Sequence, residues 1–402
     1  MSRPNYMDYI KDGKSFIIQA SAGTGKTYSI MQMVKALLAG ERGEDKPGGF
    51  LTLDKILIVT YTEKAVGELK NRIREELKEA IENKQGKKDD PIYSDAQVEL
   101  FKDALKISSN APIFTIHSFC QSTLREAAFL AKVPVALEMT DDGDIEDMLE
   151  ERLRDEFAAE FINFKTSPEN ERNSLESILK EKKGLTDILK NVSGKYYLSR
   201  EANEKGEYVS GIVELAKERY DFDGLPKEKE FIGSKIKDVC KRWLFEKQNR
   251  RLQSFNDMIR NLREAICSGS EKEDNPLIEY LRSKYQVAII DEFQDTNQKQ
   301  WDIFKNVFFD EKNGLKSFEK HSLIAVGDPK QSIYSFQGAD VQVYSEAYRE
   351  FDNHDSLEQN YRSTQAVVDA CNSLFGKDPN NEESKDFFAA KVGESDIIFE
   401  SS

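Results

Sequence analysis

The sequence predicts an α/β fold built on a parallel sheet, and three observations carry that prediction. Short apolar runs of strand type recur along the chain: Phe16-Ile17-Ile18-Gln19, Ile56-Leu57-Ile58-Val59, Ile113-Phe114-Thr115-Ile116, Gln286-Val287-Ala288-Ile289-Ile290 and Leu323-Ile324-Ala325-Val326. Helical patterns lie between them, with Ile30, Val34, Leu37 and Leu38 on one face of the first and Leu69, Ile73, Leu77 and Ile81 on one face of the second. Strands alternating with helices of this length imply a parallel sheet whose two faces are covered. The third observation is the loop of small residues that joins the first strand to the first helix.

That loop reads Ala20-Ser21-Ala22-Gly23-Thr24-Gly25-Lys26-Thr27 and has the form of a P-loop. Gly23 and Gly25 let backbone N–H groups turn inward toward a polyphosphate, and the following helix N-terminus adds its partial positive charge. Lys26 has the reach to meet the β/γ-phosphates, and the Thr27 hydroxyl is placed to ligate Mg²⁺. Ala20 stands where the general pattern has its first glycine; alanine suffices there if the backbone needs no positive φ. Strand, loop, Gly-Lys-Thr and helix in this order distinguish a phosphate cradle from an ordinary glycine-rich turn.

Beyond the charged, glycine-rich stretch from Gly40 to Gly49, the second strand ends in Thr60-Tyr61-Thr62 and passes into a long helix. An exposed loop follows from Asn83 to Asp90, Pro91 restarts the chain, and the third strand meets His117-Ser118-Phe119-Cys120. From about Asp141 to about Ser254 the chain is helix-forming, densely charged and without a buried strand, as expected of a helical insertion. Its basic stretch from Lys235 to Arg263 interleaves Trp243, Phe245 and Phe255 with Lys241, Arg242, Arg250 and Arg251. A solvated amphipathic helix burying its aromatics is favoured there over a nucleic-acid surface.

The sheet pattern resumes at residue 286 and delivers Asp291 and Glu292 at a strand's C-terminal end, where open α/β sheets bind ligands. In that place Asp291 holds Mg²⁺ and Glu292 orients or deprotonates an attacking water. The next strand opens into Gly327-Asp328-Pro329-Lys330-Gln331-Ser332, with Tyr334 and Phe336 just beyond. A further candidate strand, Ser356-Leu357-Glu358-Gln359, leads to Asn360-Tyr361-Arg362-Ser363 and a helix through Val367, Val368, Ala370 and Leu374. After Gly376 the chain is polar.

Composition narrows the functional classes. Lys+Arg 58 against Asp+Glu 73 gives a net charge of −15, which excludes a protein that coats nucleic acid through bulk positive charge but is compatible with a local DNA-binding groove. Cys120, Cys240, Cys267 and Cys371 fit neither a zinc nor an iron–sulfur spacing and read as reduced thiols of a cytoplasmic protein. The N-terminus lacks an apolar h-region and no apolar run has bilayer length, so no membrane partner is expected.

Taken in order, ASAGTGKT, TYTEKAVGELKNRI, TIHSFC, IIDEFQDT, VGDPKQSIYSFQGAD and LEQNYRS resemble the UvrD/Rep branch of superfamily 1 helicases, and most closely the RecB/AddA type of exonuclease V subunit. The resemblance runs from residue 16 to about residue 375, and Ser254 to Ile259 is similar to the segment by which such chains return from their insertion. It implies a P-loop NTPase with a RecA-like parallel sheet. Residues 1–140 and 255–340 then form the first RecA-like domain, 141–254 the helical insertion, and 341–402 the beginning of a second RecA-like domain. It also implies ATP as the nucleotide, Gln331 and Arg362 at the γ-phosphate, and Tyr361 stacked on the base. Tyr61, Thr62, His117, Tyr334 and Phe336 match positions facing single-stranded DNA, where aromatic rings hold bases without reading their sequence.

By the same resemblance the activity is ATP-dependent 3′ to 5′ helicase or translocase action on single-stranded DNA and DNA ends in recombinational repair, with a RecC- or AddB-like partner subunit. Nothing after Arg362 resembles the family's later motifs, so the 402 residues are expected to be the N-terminal portion of a longer helicase–nuclease and inactive as a motor alone. The alternative is a nucleotide-responsive DNA-binding or interaction module without helicase activity.

Overall fold

The computed structural model describes residues 6–40, 51–83, 92–134, 137–141, 251–267, 275–309, 321–332, 341–357, 359–375, 391–392 and 395–396, with scattered residues between 143 and 250. Its centre is a six-stranded sheet made of β1 (Phe16–Ala20), β2 (Ile56–Thr60), β3 (Ile113–Thr115), β4 (Val287–Ile290), β5 (Ser322–Gly327) and β6 (His354–Leu357). The spatial order is β3-β2-β4-β5-β1-β6, and every neighbouring pair is parallel. Ile18 lies opposite Val326 and Ile58 opposite Ile289, so the apolar runs stack across the sheet. β2, β4 and β5 are buried along their whole length, which is why they read as continuous apolar runs.

The edge strand differs from expectation. It runs His354–Leu357 rather than from Ser356 to Gln359, and it pairs with β1, with Ile17 opposite His354. Residues 354–357 thus complete this sheet, within the stretch assigned from sequence to the opening of a second domain. Such an edge strand is half covered and needs no apolar run. Its cover comes from α1 (Tyr6–Asp12), where the Tyr6 N–H donates to Asp355 Oδ2 (2.7 Å) and the Tyr9 hydroxyl to the His354 carbonyl (3.3 Å).

Longer helices among the described residues are α2 (Lys26–Leu38), α3 (Glu63–Asn83), α4 (Asp95–Ile107), α5 (Ile116–Glu126), α6 (Phe255–Cys267), α7 (Pro276–Lys284), α8 (Gln298–Phe308), α9 (Val341–Glu350) and α10 (Gln365–Phe375). Ile30, Val34, Leu37 and Leu38 of α2 and Leu69, Ile73 and Leu77 of α3 are buried in one core, with Ile81 partly covered beside them. α4 and α8 each start with a capping box, Ser94 with Gln97 and Asn297 with Gln300, which satisfies N–H groups that the first helical turn leaves open. On α8, Trp301 receives the ring of Phe293 edge-on, with centroids 5.3 Å apart, and this contact anchors the loop that follows β4.

The chain divides into two compact units, one of Met1–Thr123 with Leu262–Ser402 and one of Leu124–Asn261. The second unit extends past the 141–254 stretch picked out by composition. One reason is a buried cluster in which Lys247 and Arg260 both pair with Asp257, so the start of α6 belongs to this unit. Burial of the Asp257 carboxyl favours its neutral form, yet Arg260 and Lys247 outweigh that and hold it below the ordinary aspartate value. In the basic stretch Trp243 is buried, whereas Phe245 and Phe255 are exposed. Arg242 pairs with Glu156 and Arg250 with Glu246, so acidic neighbours balance these charges.

Between α2 and α3 lies an ion pair of Lys35 and Glu76, 2.8 Å apart with side chains only 2% and 8% exposed. A buried pair owes little net stability to attraction but makes the loss of one partner costly, because the other charge stays desolvated. Lys35→Met is therefore expected to cost about 3–5 kcal/mol in urea melts, and Lys35→Met with Glu76→Leu to recover most of it. A double variant as unstable as the single one would contradict this.

Candidate functional site

Because all six strands are parallel, their carboxyl ends share one edge of the sheet. The segments that leave this edge carry Ser21–Gly25, Tyr61–Thr62, Asp291–Thr296, Asp328–Gln331 and Gln359–Arg362, with His117 in the first turn of α5. These are the stretches singled out from sequence, brought together by topology alone.

The cradle needs glycine at two points. Gly23 has φ +82 and Gly25, the N-cap of α2, has φ +91, both left-handed conformations that side chains disfavour. Inside the loop the Thr24 N–H and hydroxyl both donate to the Ser21 carbonyl. The segment after β6 closes over it: the Tyr361 N–H donates to the Gly23 carbonyl (2.8 Å) and Asn360 Nδ2 to the Ala22 carbonyl (3.0 Å). A Cβ on Gly23 would lie 2.7 Å from Arg362 Cβ, so the two loops are fitted at van der Waals contact. Asn360 Oδ1 accepts the N–H groups of Arg362 and Ser363, which fixes the turn that presents Arg362. Tyr361 is 67% exposed, an open ring face beside the cradle. Sequence reading passed over Asn360, whose place between Gln359 and Tyr361 was its only signal.

Lys26 Nζ lies 2.6 Å from Glu292 Oε2, joining the loop after β1 to the loop after β4 across the intervening β5. Glu292 is one of few non-glycine residues with positive φ (54), a strained turn of the kind that persists where surrounding contacts over-determine it. Three carboxylates meet here. Burial first and Glu292 second push the Asp291 carboxyl up to about 7 against the pull of Lys26, and the same causes push Asp295 up to about 6. Asp295 is buried, and its Oδ1 has no hydrogen-bond partner among the described residues. Sequence reading also passed over Gln294 and Asp295, although both sit in the same acidic turn.

This donor set fits a nucleotide with a divalent cation. Among the described residues no group of three or more His, Cys, Asp or Glu holds a metal by protein ligands alone. Mg²⁺ does not require one, since it keeps waters and substrate phosphates in an octahedral shell around one or two protein ligands. An under-compensated, partly buried carboxylate cluster beside a helix N-terminus that favours phosphate is the matching arrangement.

At the other end of the edge, Thr62 Oγ1 accepts the Ala65 N–H at the start of α3 (3.1 Å). Glu63 accepts from the hydroxyls of Thr115 (2.9 Å) and Ser118 (2.7 Å), which ties the start of α3 to the first turn of α5, where His117 sits. The hydrogen bonds from Ser118 and then Thr115 hold the Glu63 carboxyl below its ordinary value. Sequence reading missed Glu63, because its partners lie 52 and 55 residues away. Tyr61 and His117 are half-buried and Thr62 is exposed, while Tyr334 and Phe336 lie outside the described residues.

Comparison with known proteins gives one family: the model of the UvrD/REP helicase N-terminal domain matches residues 8–352. Among curated proteins, the chain is 28% identical to the RecBCD enzyme subunit RecB of Buchnera aphidicola subsp. Schizaphis graminum, over 90% of this chain and 37% of that protein. It is 27% identical to RecBCD enzyme subunit RecB of Mycobacterium tuberculosis (strain ATCC 25618 / H37Rv), over 90% of this chain and 30% of that protein. For RecBCD enzyme subunit RecB of Escherichia coli (strain K12) the identity is 26%, over 90% of this chain and 38% of that protein. The chain thus spans between 30% and 38% of the length of these three relatives.

The raised Asp291 value has a definite sign. The carboxyl is neutral in the folded chain up to about pH 7 and ionised in the unfolded chain above about pH 4, so its stabilising contribution is full below the lower value and is lost as pH rises through the upper one. In nucleotide-free, metal-free buffer, Asp291→Asn is expected to raise the melting temperature at about pH 8 and to lose most of that gain at about pH 5. A variant that melts below the parent at the higher pH would contradict the electrostatic account.

Proposed function

Since the chain belongs to the UvrD/REP helicase N-terminal domain family, we propose that it forms the nucleotide-binding part of a RecB-type DNA helicase, which moves on single-stranded DNA at the expense of Mg-ATP. The observation that carries this reading is the ion pair between Lys26 and Glu292 at the sheet edge from which Tyr61 and His117 also project. A polyphosphate on the cradle competes with Glu292 for the Lys26 ammonium. Lys26 thereby moves to the β/γ-phosphates and releases Glu292 to act on water.

In this reading Ala20 to Thr27 wrap the phosphates, and Thr27 and Asp291 hold Mg²⁺. The bound cation supplies neutralisation of the charge that develops on the phosphate oxygens. Glu292 orients the attacking water and takes its proton, while Gln331 and Arg362 bear on the γ-phosphate. Tyr361 offers its exposed face to the adenine. Tyr61, Thr62, His117, Tyr334 and Phe336 form the DNA track, with stacking as its sequence-independent grip. The first RecA-like domain takes the residues on either side of the insertion through β6, and the second begins after it.

The curated relatives are named as subunits of a RecBCD enzyme. By extension we assign this chain DNA ends as substrate, 3′ to 5′ movement, a RecC- or AddB-like companion, and a cytoplasmic setting. Among the described residues no helix is long and apolar enough to cross a membrane.

Two substitutions test the reading together. Lys26→Ala is expected to abolish Mg-ATP binding in calorimetry while the chain still folds, with a lowered melting temperature because Glu292 loses its ion-pair partner. Tyr61→Ala is expected to weaken binding of a mixed-sequence oligonucleotide by roughly 1–3 kcal/mol, with the salt slope nearly constant because no phosphate contact is lost. Unchanged nucleotide affinity in the first variant would remove the cradle. Undiminished DNA affinity in the second would remove the track.

A further inference from the structure

The side chain of Gln294 is 2% exposed and is used at both ends. Its Nε2 donates to Glu292 Oε2 (2.7 Å), and its Oε1 accepts the Asp328 N–H (2.9 Å). A carboxylate can only accept and a backbone N–H can only donate, so this pairing fixes the amide's orientation. Asp328, equally buried, continues the chain: its Oδ2 accepts from Gln331 Nε2 (2.7 Å) and its Oδ1 from the Lys330 N–H (3.1 Å). The Ser332 hydroxyl donates to the Gln294 carbonyl (3.3 Å), a further tie between the same two loops.

One amide therefore registers the loop after β4, which carries Glu292, against the loop after β5, which carries Gln331. Lys26 and Gln294 both donate to Oε2 of Glu292, which leaves Oε1 as the oxygen able to take up a proton. The fit around the amide is close. A Cβ on Gly327 would stand 2.8 Å from Gln294 Oε1, so glycine at the end of β5 is what lets this side chain lie flat across the two loops.

We propose that Gln294 is a positioning residue that holds Glu292 and Gln331 at a fixed mutual distance, so that the group acting on water and the group reading the γ-phosphate move together. The brace is short and its two central residues, Gln294 and Asp328, are buried, and such networks transmit displacement because a buried amide left half-paired is costly. The proposal rests on the nucleotide-site reading given above.

The test uses the full 402-residue chain, its Gln294→Met variant and its Gly327→Ala variant. Methionine keeps the volume and the burial but neither donates to the carboxylate nor accepts from Asp328, whereas alanine at 327 presses on the amide oxygen and on the backbone N of Phe293 and Gln294, displacing the brace without deleting it. Calorimetric affinities for Mg-ADP and for a non-hydrolysable Mg-ATP analogue, single-turnover ATP hydrolysis with protein in excess, and thermal melts are read on all three.

Both variants are expected to keep the parent's Mg-ADP affinity within about twofold, while the preference for the triphosphate over the diphosphate falls roughly tenfold, as loss of charge-assisted hydrogen bonding requires. Hydrolysis by the parent should fall by roughly 10–100-fold in each, the cost of a misplaced reacting group. A purely structural role leaves the triphosphate-to-diphosphate ratio in place, and that ratio decides even where turnover is slow. A ratio unchanged in Gln294→Met overturns the proposal, as does equal weakening of both nucleotides. If Gln294→Met does not fold, the ratio in Gly327→Ala decides in the same way. A parent chain that binds neither nucleotide overturns the nucleotide-site reading and this inference with it, whereas a parent that discriminates and variants that do so equally well overturn this inference alone.

Discussion

Everything in the site follows from the parallel arrangement of six strands, whose carboxyl ends fall on one edge of the sheet. In an antiparallel sheet the loops after β1 and β4 could leave from opposite edges, and Lys26 would not meet Glu292. Here β5 lies between β1 and β4, so the loops after these three strands are neighbours. β6 adds the segment from Gln359 to Arg362, which settles on the cradle through Gly23 and Ala22. Side chains separated by hundreds of residues are thereby brought together by rigid strands rather than by long loops, as at the ligand sites of open α/β sheets.

The electrostatics of that edge are deliberately out of balance. Asp291, Glu292 and Asp295 crowd one turn, where Lys26 opposes the upward push that burial and Glu292 exert on both aspartates. Such a cluster is unstable by itself and becomes favourable when a cation and a polyphosphate enter together, each supplying the charge that the other lacks. The strained backbone of Glu292 belongs to the same picture: it is retained because Phe293 is locked on Trp301 and because Asp291, Gln294 and Lys26 hold the flanking side chains. Fold stability in the aromatic cluster and tension in the acidic turn are thus adjacent along the chain.

How much of this was legible depended on whether the signal was local. The five apolar strands announced themselves because a strand covered on both faces has no room for polar residues, and the cradle did so because its φ values demand glycine at Gly23 and Gly25. β6 was misplaced by two residues because an edge strand such as His354–Leu357 takes its stability from pairing with β1 rather than from its own side chains. α4 and α8 escaped notice although Ser94 with Gln97 and Asn297 with Gln300 spell capping boxes in the sequence. Trp243 and Phe245 looked alike on paper but separate into a buried and an exposed ring, since residues two apart on a helix point to different sides. Contacts such as Glu63 with Thr115, or Asn360 with Ala22, join distant parts of the chain and exist only once the sheet has formed.

The central claim is that one sheet edge carries both a nucleotide site and a single-stranded DNA site, on segments that leave neighbouring strands. Linkage makes that claim measurable without any assumption about turnover, because two ligands coupled through one structure must alter each other's affinity by the same factor. The decisive measurement is a fluorescence-anisotropy titration of a labelled oligothymidylate with and without a saturating non-hydrolysable Mg-ATP analogue, paired with nucleotide titrations with and without saturating oligothymidylate at the same salt. Equal shifts in the two directions, on the order of 5–150-fold, are the result predicted. Two independent affinities, each untouched by the other ligand, would contradict the account.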